Sequence, residues 1–445
     1  MTAAAFALFL AGLAACLAKG WNVAWALTGG LCLFFLLGLY RGFSPGALCA
    51  MAWRKGKTSM VVVRILLLIG AITGLWRAGG TIALCIVYGI RLIQPSLFLL
   101  VAFLLTAVLS YALGTSFGVA STAGVVMMAL ARSGGVNELL AAGAVLSGVY
   151  VGDRCSPASS SASLVAAVTE TDLYRNVRCM LRTGLLPLVL TAAIFAVLSV
   201  RNPISAVDEG VLSAMEGAFT LTWPAIVPAV IIVVLPLFRM PIHYVMALSI
   251  AAGAALSILL QGLDPLETLR AAILGYSPAS PALSEILAGG GVVSMASSCA
   301  VVLLTSLYTG ILEGIGALRS MEEKALAAAG RVKRLPAMIG VSLACVMVFC
   351  NQAVGVMLSA QLLHKAYDDR EELAMDLENT AITLAGLVPW SIASTVPLAM
   401  LGVGVGALPF SVFLWLVPLC YLPTKGLFFP EKREGQADDR KERSV

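Results

Sequence analysis

Residues 152–163 read GDRCSPASSSAS and directly follow an apolar run that ends in Leu146-Ser147-Gly148-Val149-Tyr150. The stretch places an acid and a helix-breaking proline beside five serines that fall within positions 156–163. Backbone that leaves a helix within a membrane is tolerated only where it is buried in protein or lines a cavity. The stretch therefore indicates an interrupted helix whose polar groups face the interior of the molecule.

The composition of the whole chain explains why such a break is informative. Of 445 residues, 60% are hydrophobic and 12% are charged, against about 25% charged in soluble domains. The tail, Lys425–Val445, is dense in charged side chains, so the rest of the chain is poorer in them still. These values exclude a soluble enzyme, a nucleic-acid-binding protein and a disordered chain. They leave a polytopic protein whose main partner is the lipid bilayer.

Apolar stretches recur along the chain and predict an all-α polytopic membrane protein with about 10–12 transmembrane helices. They fall at about 3–18, 21–40, 59–76, 80–93, 96–113, 114–131, 138–152, 183–200, 219–238, 241–261, 293–317, 335–360, 381–403 and 406–423. Ten scattered cysteines without a CxxC pair and two distant histidines, His243 and His364, predict no cofactor and no resident metal.

Basic residues predict the orientation in the membrane. They gather at 41–57, at Arg175, Arg178 and Arg182, at Arg319–Arg334, and in the tail. The positive-inside rule puts all four segments, and with them both termini, on the cytoplasmic side of the cell membrane. Arg319–Arg334 is expected to form an amphipathic helix at the inner surface.

The chain also resembles itself at a long, nearly constant spacing. The matching pairs are Thr73–Gly80 with Thr309–Gly316, Thr115–Gly124 with Asn351–Gln361, and Asp153–Ser163 with Glu378–Ser394. Two repeats with broken helices or re-entrant hairpins are typical of secondary transporters. The expected units are an N-terminal helical pair with a basic loop (1–58), a first repeat (59–200), connecting helices with a Pro/Gly-rich segment (201–291), a second repeat (292–424) and a charged cytoplasmic tail (425–445).

The polar break of the first repeat offers Asp153 with its neighbouring serines as a candidate site. Serine oxygens beside a carboxylate suit a cation or a polar substrate. The alternative is an ordinary polar loop in which Asp153 and Arg154 pair at the membrane interface. The repeat favours the site.

The second repeat offers Glu378-Asn379-Thr380 and the adjacent amides Asn351 and Gln352. Glu378 opens an apolar run, so helix capping at the interface is its alternative role. The two amides lie inside an apolar run and must be hydrogen-bonded, either in a cavity or between helices. Arg77 and Glu313 occupy matching repeat positions and are either functional or a structural ion pair.

At these motifs the chain resembles the NhaC-type sodium/proton antiporters, a branch of the ion-transporter superfamily. The resemblance runs from about Ile72 to about Leu422. It is strongest at 143–157, GAVLSGVYVGDRCSP, and continues at Gly114–Gly118, Asn351-Gln352, Leu377–Asn379 and Pro389-Trp390.

Several positions depart from the family pattern. The family usually continues after the Ser-Pro with Ser-Asp-Thr-Thr-Asn, whereas residues 159–163 here read SSSAS. The usual Glu-Asp pair is Glu378-Asn379, and the usual Lys after Gly-Asp is Arg154. Arg77 stands where a small or neutral residue is expected. The remaining candidate carboxylates are Asp153, Glu313 and Glu378.

The resemblance implies a secondary active transporter that exchanges Na⁺ for H⁺ by alternating access, with no other cofactor. Asp153 would be the titrating cation ligand, and oxygens would come from Ser156, Ser159, Thr115, Ser116 and Asn351. Glu378 and Asn379 would complete the binding set, with Glu313, Arg77 and Arg154 as a coupling group or charge pair. The broken bundle would move past a scaffold that can form a homodimer.

Two other functions remain open. The same scaffold could carry a small organic anion or amino acid, with Arg77 or Arg154 supplying positive charge. A non-transporting membrane subunit would fit the lost acids but not the retained repeat. A membrane enzyme is the least favoured, because the sequence shows no nucleophile–base pair, metal cluster or phosphate loop.

Overall fold

Interrupted apolar helices make up the observed architecture, as the sequence predicts. The computed structural model describes residues 2–19, 21–92, 94–203, 209–238, 240, 242–278, 280, 283–284, 287–316 and 333–429. Within these ranges the chain is helical, apart from an isolated β-bridge between Tyr276 and Gly289. The all-α polytopic fold is therefore confirmed. The amphipathic helix expected at Arg319–Arg334 and most of the tail lie outside the described residues.

The helices of the first half are α1 (Thr2–Ala18), α2 (Val23–Tyr40), α3 (Pro45–Ala78), α4 (Thr81–Leu92), α5 (Phe98–Leu113), α6 (Ser116–Val119), α7 (Val125–Ser133), α8 (Glu138–Cys155), α9 (Ser160–Thr169) and α10 (Leu173–Arg201). A π-helical turn, Ala120–Gly124, joins α6 to α7. The connecting region holds α11 (Glu209–Ala218), α12 (Val227–Val234), α13 (Ile242–Leu259) and α14 (Pro265–Leu274).

The second half contains α15 (Ala296–Gly314), α16 (Arg334–Phe349), α17 (Gln352–Leu363), α18 (Arg370–Asn379), α19 (Ala381–Ala385), α20 (Ile392–Leu401) and α21 (Val412–Phe428). Short 3₁₀ turns occur at Pro95–Leu97, Trp223–Ile226, Leu235–Phe238, Val292–Met295, His364–Ala366 and Val405–Phe410.

Six helical segments of the described chain are long and apolar enough to cross a membrane alone. They are Val23–Tyr40, Pro45–Ala78, Pro95–Leu113, Ser116–Ser133, Leu173–Arg201 and Val292–Gly314. Further apolar helices of 10–17 residues, such as Arg334–Phe349 and Val412–Phe428, are shorter than a full span. The sequence prediction of about 10–12 spans therefore requires several of the shorter helices to contribute. That is expected where helices are broken inside the membrane.

The first pair of repeated elements is α3 and α15. Gly79 ends α3 at φ −79°, ψ 1°, and Ile315 ends α15 at φ −82°, ψ 3°. Each is followed by a glycine of positive φ, Gly80 (78°) and Gly316 (63°). The number of residues between these two helix ends equals the number between Thr73–Gly80 and Thr309–Gly316. The helix ends are therefore equivalent positions of the sequence repeat.

The two equivalent helices run in opposite directions. Gly310, near the end of α15, packs against Met51 near the start of α3. Gly291, just before α15, donates its N–H to Gly70 O near the end of α3 (2.8 Å). Equivalent helices of opposite direction define an inverted-topology repeat, the arrangement that secondary transporters use for alternating access.

Ion pairs bring the predicted basic segments together in two groups. Lys55 pairs with Glu313 (2.7 Å), and Arg41 donates to Ile315 O, so the first basic loop lies at the end of α15. Around α18, Arg175 pairs with Glu371 (2.8 Å), while Arg334 and Lys425 both pair with Glu372. The second group joins three segments that the sequence places on one side of the membrane.

A close crossing of α5 and α8 holds the polar break in place. Gly148 and Gly152 of α8 set the distance between the two helices, because a residue without a side chain lets the backbones come into contact. A Cβ on Gly152 would lie 1.9 Å from Ser110 C and 2.0 Å from Ser110 O. Ser110 Oγ donates to Val149 O across the same contact. The residue after Gly152 is Asp153, so this crossing fixes the position of its carboxylate.

Gly152→Ala is expected to force α5 and α8 apart and to lower the free energy of unfolding by roughly 1–3 kcal/mol. The matched control is Gly340→Ala in α16, where an added Cβ meets nothing within 4 Å. That variant should be neutral or gain up to about 1 kcal/mol. Thermal unfolding of both purified proteins in detergent checks the difference. Equal midpoints would contradict the close crossing.

A buried acid organises the end of the molecule where α18 and α21 meet. Asp376 is fully buried and accepts hydrogen bonds from Lys425 Nζ (2.6 Å), Tyr367 OH (2.6 Å) and Tyr421 OH (3.1 Å). Lys425 also contacts Glu372 (2.7 Å). Lys425 therefore lies between two carboxylates, of which Glu372 also pairs with Arg334 and Asp376 has Lys425 as its cationic partner among the described residues.

Lys425→Met should destabilise the protein strongly, because removing one partner of a buried ion pair costs about 3–5 kcal/mol. The control is Arg370→Met, which breaks the exposed pair between Arg370 and Glu170 and should cost no more than about 1 kcal/mol. Detergent thermal unfolding measures both variants. Similar losses in the two would show that the Asp376 network contributes little.

Candidate functional site

Two helix breaks with the same backbone geometry meet inside the molecule. Gly114 ends α5 in the left-handed conformation (φ 66°), and Thr115 follows at φ −143°, ψ 121°. Cys350 ends α16 at φ 54°, and Asn351 follows at φ −139°, ψ 124°. The Thr115 hydroxyl and the Asn351 amide oxygen then cap the next half-helices by accepting from Gly118 N and Val354 N. The sequence repeat is thus reproduced residue by residue.

The repeat continues in α8–α9 and α18–α20, where equivalent residues are slightly closer together along the chain. Asn137 is equivalent to Asp369, and Ser159 is equivalent to Ser391. Asn137 and Asp369 cap α8 and α18 through the backbone N–H two residues ahead. Ser159 and Ser391 cap the ten-residue helices α9 and α20 in the same way. The repeat differs in the middle, because α8 continues to Cys155 while its counterpart breaks after Asn379.

A cavity of about 430 Å³ lies where these breaks converge. Its polar lining comes from Ser59, Thr115, Ser116, Asp153, Ser160, Ser161, Asn351 and Gln352. The apolar lining includes Val62 of α3 and Val302 of α15. The Ser59 and Ser306 hydroxyls join α3 to α15 at the same level (2.5 Å). The cavity therefore lies between the inverted helix pair α3–α15 and the interrupted helices.

Asp153 is the acidic side chain of this cavity. Its carboxylate accepts hydrogen bonds from Gln352 Nε2 (2.9 Å) and Ser161 Oγ (3.3 Å). The hydroxyl and backbone N–H of Ser116 also interact with it. Ser116 and Gln352 are the first residues of the two equivalent half-helices, so the positive N-terminal ends of both converge on one carboxylate.

Ser156 and Ser159 support the break and do not line the cavity. Both are fully buried. Ser156 Oγ accepts from Ala158 N (3.1 Å), while Ser159 Oγ donates to Asp153 O (2.5 Å) and accepts from Ser161 N. The two serines therefore satisfy the backbone released by the proline, and the cavity oxygens come from Ser160 and Ser161 instead.

Arg154 points away from Asp153. Its guanidinium is fully buried and donates to Asn379 Oδ1 (2.6 Å), Thr183 Oγ1 (2.8 Å) and Met180 O (3.2 Å). Arg154 thereby ties α8 to α10 and α18. The alternative of an Asp153–Arg154 pair in an interfacial loop is wrong, because both residues lie within α8 and their side chains have different partners.

Glu378 lies beside this arginine rather than in the cavity. It is fully buried, and neither carboxylate oxygen has a hydrogen-bond partner among the described residues. A capping carboxylate must accept a backbone hydrogen bond, so Glu378 is not a helix cap. Its charged neighbours are Arg154 and Asp153.

Arg77 and Glu313 do not meet. Glu313 pairs with Lys55 at the partly exposed end of α15, which excludes the ion pair with Arg77 that the repeat suggested. Arg77, in the last turn of α3, donates to Thr73 O (3.1 Å) and lines a second cavity. Neither residue lines the Asp153 cavity.

Four polar groups near Asp153 are absent from the predicted binding set: Ser160, Ser161 and Gln352 belong to stretches that the sequence singles out, and Ser59 does not. Gln352 carries a sequence signal, since it is an amide inside an apolar run next to the predicted Asn351. Ser160 and Ser161 belong to the quoted serine stretch. Ser59 is a single hydroxyl residue in a long helix, and nothing in the sequence distinguishes it.

Nothing in the described part of the chain resembles a site for a resident metal. No cluster of three or more His, Cys, Asp or Glu side chains occurs there. One carboxylate with hydroxyl and amide neighbours is instead suited to a monovalent ion that binds and leaves.

Comparison with known proteins agrees with this geometry. Residues 1–167 and 148–425 match the profile of the Na⁺/H⁺ antiporter family. The chain is 32% identical over 394 residues to the malate-2H⁺/Na⁺-lactate antiporter of Bacillus subtilis, covering 86% of this chain and 83% of that protein. It is 27% identical over 380 residues to the Na⁺/H⁺ antiporter NhaC of the same organism, covering 82% and 83%.

A further relative is the arginine/ornithine antiporter ArcD of Halobacterium salinarum, 26% identical over 354 residues, covering 77% of this chain and 73% of that protein. The relatives differ in their cargo but share the antiporter function in their names. The inverted repeat, the paired helix breaks and these matches agree, and the chain belongs to the Na⁺/H⁺ antiporter family and is a secondary antiporter.

Proposed function

We propose that this protein exchanges Na⁺ or a similar monovalent cation for H⁺, and that Asp153 is the group that holds either one. The observation that carries the proposal is the position of Asp153. It is the acid that lines a cavity between the inverted helix pair and the interrupted helices, at the point where two half-helix N-termini meet.

Coupling follows from competition for a single carboxylate. A cation coordinated by Asp153 needs the ionised form, and a proton on the same oxygen removes that ligand. Binding of one therefore excludes the other, and this mutual exclusion links the two fluxes. No second titratable group in the cavity lining is needed, so the acids that the family usually carries nearby are dispensable for this mechanism.

The empty carboxylate is stabilised by donors that can be exchanged for a cation. Gln352 and Ser161 donate to it in the structure. A serine hydroxyl both donates and accepts, and a glutamine amide carries a donor and an acceptor. Rotation of these groups would present oxygens to a bound cation. The half-helix dipoles favour the ionised carboxylate, which is the form that binds a cation.

The interface position of the cavity supports alternating access. One wall belongs to α3 and α15, and the opposite wall belongs to the half-helices and to α8, α9 and α20. A shift of one wall past the other would expose Asp153 to either side of the membrane in turn. We assign the basic segments to the cytoplasmic face of the cell membrane by the positive-inside rule. The mechanism does not require a homodimer.

A small organic anion fits the Asp153 cavity less well. The malate–lactate relative makes an anion the natural alternative. Arg154, however, is committed to Asn379, Thr183 and Met180, so it offers no charge to the cavity. An anion there would face Asp153 without a cationic partner. We assign Glu378 to balancing the charge of buried Arg154, and not to cation binding.

Asp153→Asn should reduce cation-driven proton flux to the level of empty vesicles, because the amide neither binds a proton nor neutralises a cation. The measurement is proton movement in proteoliposomes with a pH-sensitive dye while Na⁺, Li⁺, K⁺, carboxylates and amino acids are added in turn.

The matched control is Glu371→Gln, which removes an acid from an ion pair with Arg175 that lies away from the cavity. That variant should keep the wild-type flux. Cation-dependent flux that survives in Asp153→Asn would overturn the assignment. Flux driven only by an organic solute would replace the proposed cargo.

A further inference from the structure

A second cavity, of about 420 Å³, lies near the opposite end of α3 from the first basic loop. It shares no lining residue with the Asp153 cavity. Thr73 and Arg77 of α3, Arg132 of α7 and the glycine loop 289–290 form part of its wall. Its volume is in the range of sites for small ligands. If the basic segments face the cytoplasm, this cavity lies on the outer side.

The charge of the cavity is positive. Its wall contains two arginines and one acid, Glu138. Arg132 is paired with that acid through Nε (2.9 Å) and donates through Nη2 to Leu401 O (2.9 Å) and Gly402 O (3.3 Å). Glu138 and the C-terminal carbonyls of α20 therefore balance Arg132. Among the lining residues that the structure describes, there is no further acid for Arg77.

Arg77 has unused donors. Its Nη1 donates to Thr73 O (3.1 Å), and its buried Nε has no hydrogen-bond partner among the described residues. A guanidinium presents five N–H donors in a planar fork that matches a carboxylate. Arg77 is partly buried and has no anionic partner among the described residues, so a bound anion would offset part of the cost of desolvating its charge.

The loop opposite Arg77 is shaped around the guanidinium. Gly289, Gly290 and Gly291 all have positive φ (107°, 76° and 83°), which side-chain-bearing residues rarely adopt. A Cβ on Gly290 would lie 2.9 Å from Arg77 Nη1 and 2.6 Å from Gly74 N. Glycine at this position therefore keeps the arginine in place and the cavity open.

We propose that this second cavity binds a small carboxylate anion through Arg77, with Arg132 as the neighbouring positive charge. The site goes beyond the proposed cation–proton exchange and does not involve Asp153. It would recruit a carboxylate at the face opposite the basic segments, either as a second cargo or as a bound effector. Phosphate also offers two oxygens to a guanidinium fork, whereas chloride shares only the charge, so the test compares the carboxylates with both anions.

Titration of the purified protein in detergent with L-malate, L-lactate, chloride and phosphate tests the site, with calorimetry or thermal shift as the readout. Arg77→Gln should weaken carboxylate binding at least tenfold. Arg77→Lys should give an intermediate loss, because it keeps the charge but not the fork. Arg370→Gln, at the exposed pair with Glu170, should bind as wild type.

Labelling of wild-type arginines provides a second readout that does not depend on the folding of a variant. Phenylglyoxal modification of Arg77, followed by peptide mass spectrometry, should slow at least severalfold when malate or lactate is present. Equal binding in Arg77→Gln, or no protection of Arg77, would overturn the proposal. Binding of chloride and phosphate alone would overturn its carboxylate class. Because Asp153 is not part of this site, a failed cation-flux test leaves these outcomes unaffected.

Discussion

The structure depends on satisfying backbone groups where helices stop inside an apolar environment. A helix end leaves N–H and C=O groups without partners, and lipid offers none. The protein solves this twice with the same device, a left-handed residue that ends one helix and an extended residue whose side chain caps the next. Gly114-Thr115 and Cys350-Asn351 are these pairs. Because the caps are side chains of the breaks themselves, each break satisfies part of its own freed backbone, and the two half-helices can point at one cavity.

The two repeats share their backbone conformation at the helix breaks but differ in the side chains that line the cavity. Ser116 and Gln352 are equivalent residues that both interact with the Asp153 carboxylate. Asp153 itself has no acidic counterpart. In the alignment that makes Ser159 equivalent to Ser391, the residue equivalent to Asp153 is Ala385. An inverted repeat thus builds a nearly two-fold pocket with a single titratable group. That composition suits exchange of one cation for protons better than simultaneous binding of several ions.

The sequence predicted the backbone better than the side chains. The repeat, the two breaks and Asp153 follow from residue type and spacing, because glycine, proline and clustered polar residues are rare in apolar runs. Ser156, Ser159 and Arg154 belong to the same polar stretch, yet they point into the protein rather than into the cavity. Which side of an interrupted helix each residue faces depends on where the helix ends, and spacing alone does not give that. Ser59 lay beyond prediction because its role comes from contact with Ser306, on a helix in the other half of the chain.

The two cavities are far enough apart to act separately. Ser59 lines one and Thr73 lines the other, and both belong to α3. The stretch of α3 between them corresponds to about 21 Å of helix. At that separation and an effective dielectric of about 20, two unit charges interact by about 0.8 kcal/mol. Charges separated by that length of helix change each other's ligand affinity by only a few-fold. A fold with one acidic and one basic cavity can accept new anion chemistry at one end without losing cation exchange at the other.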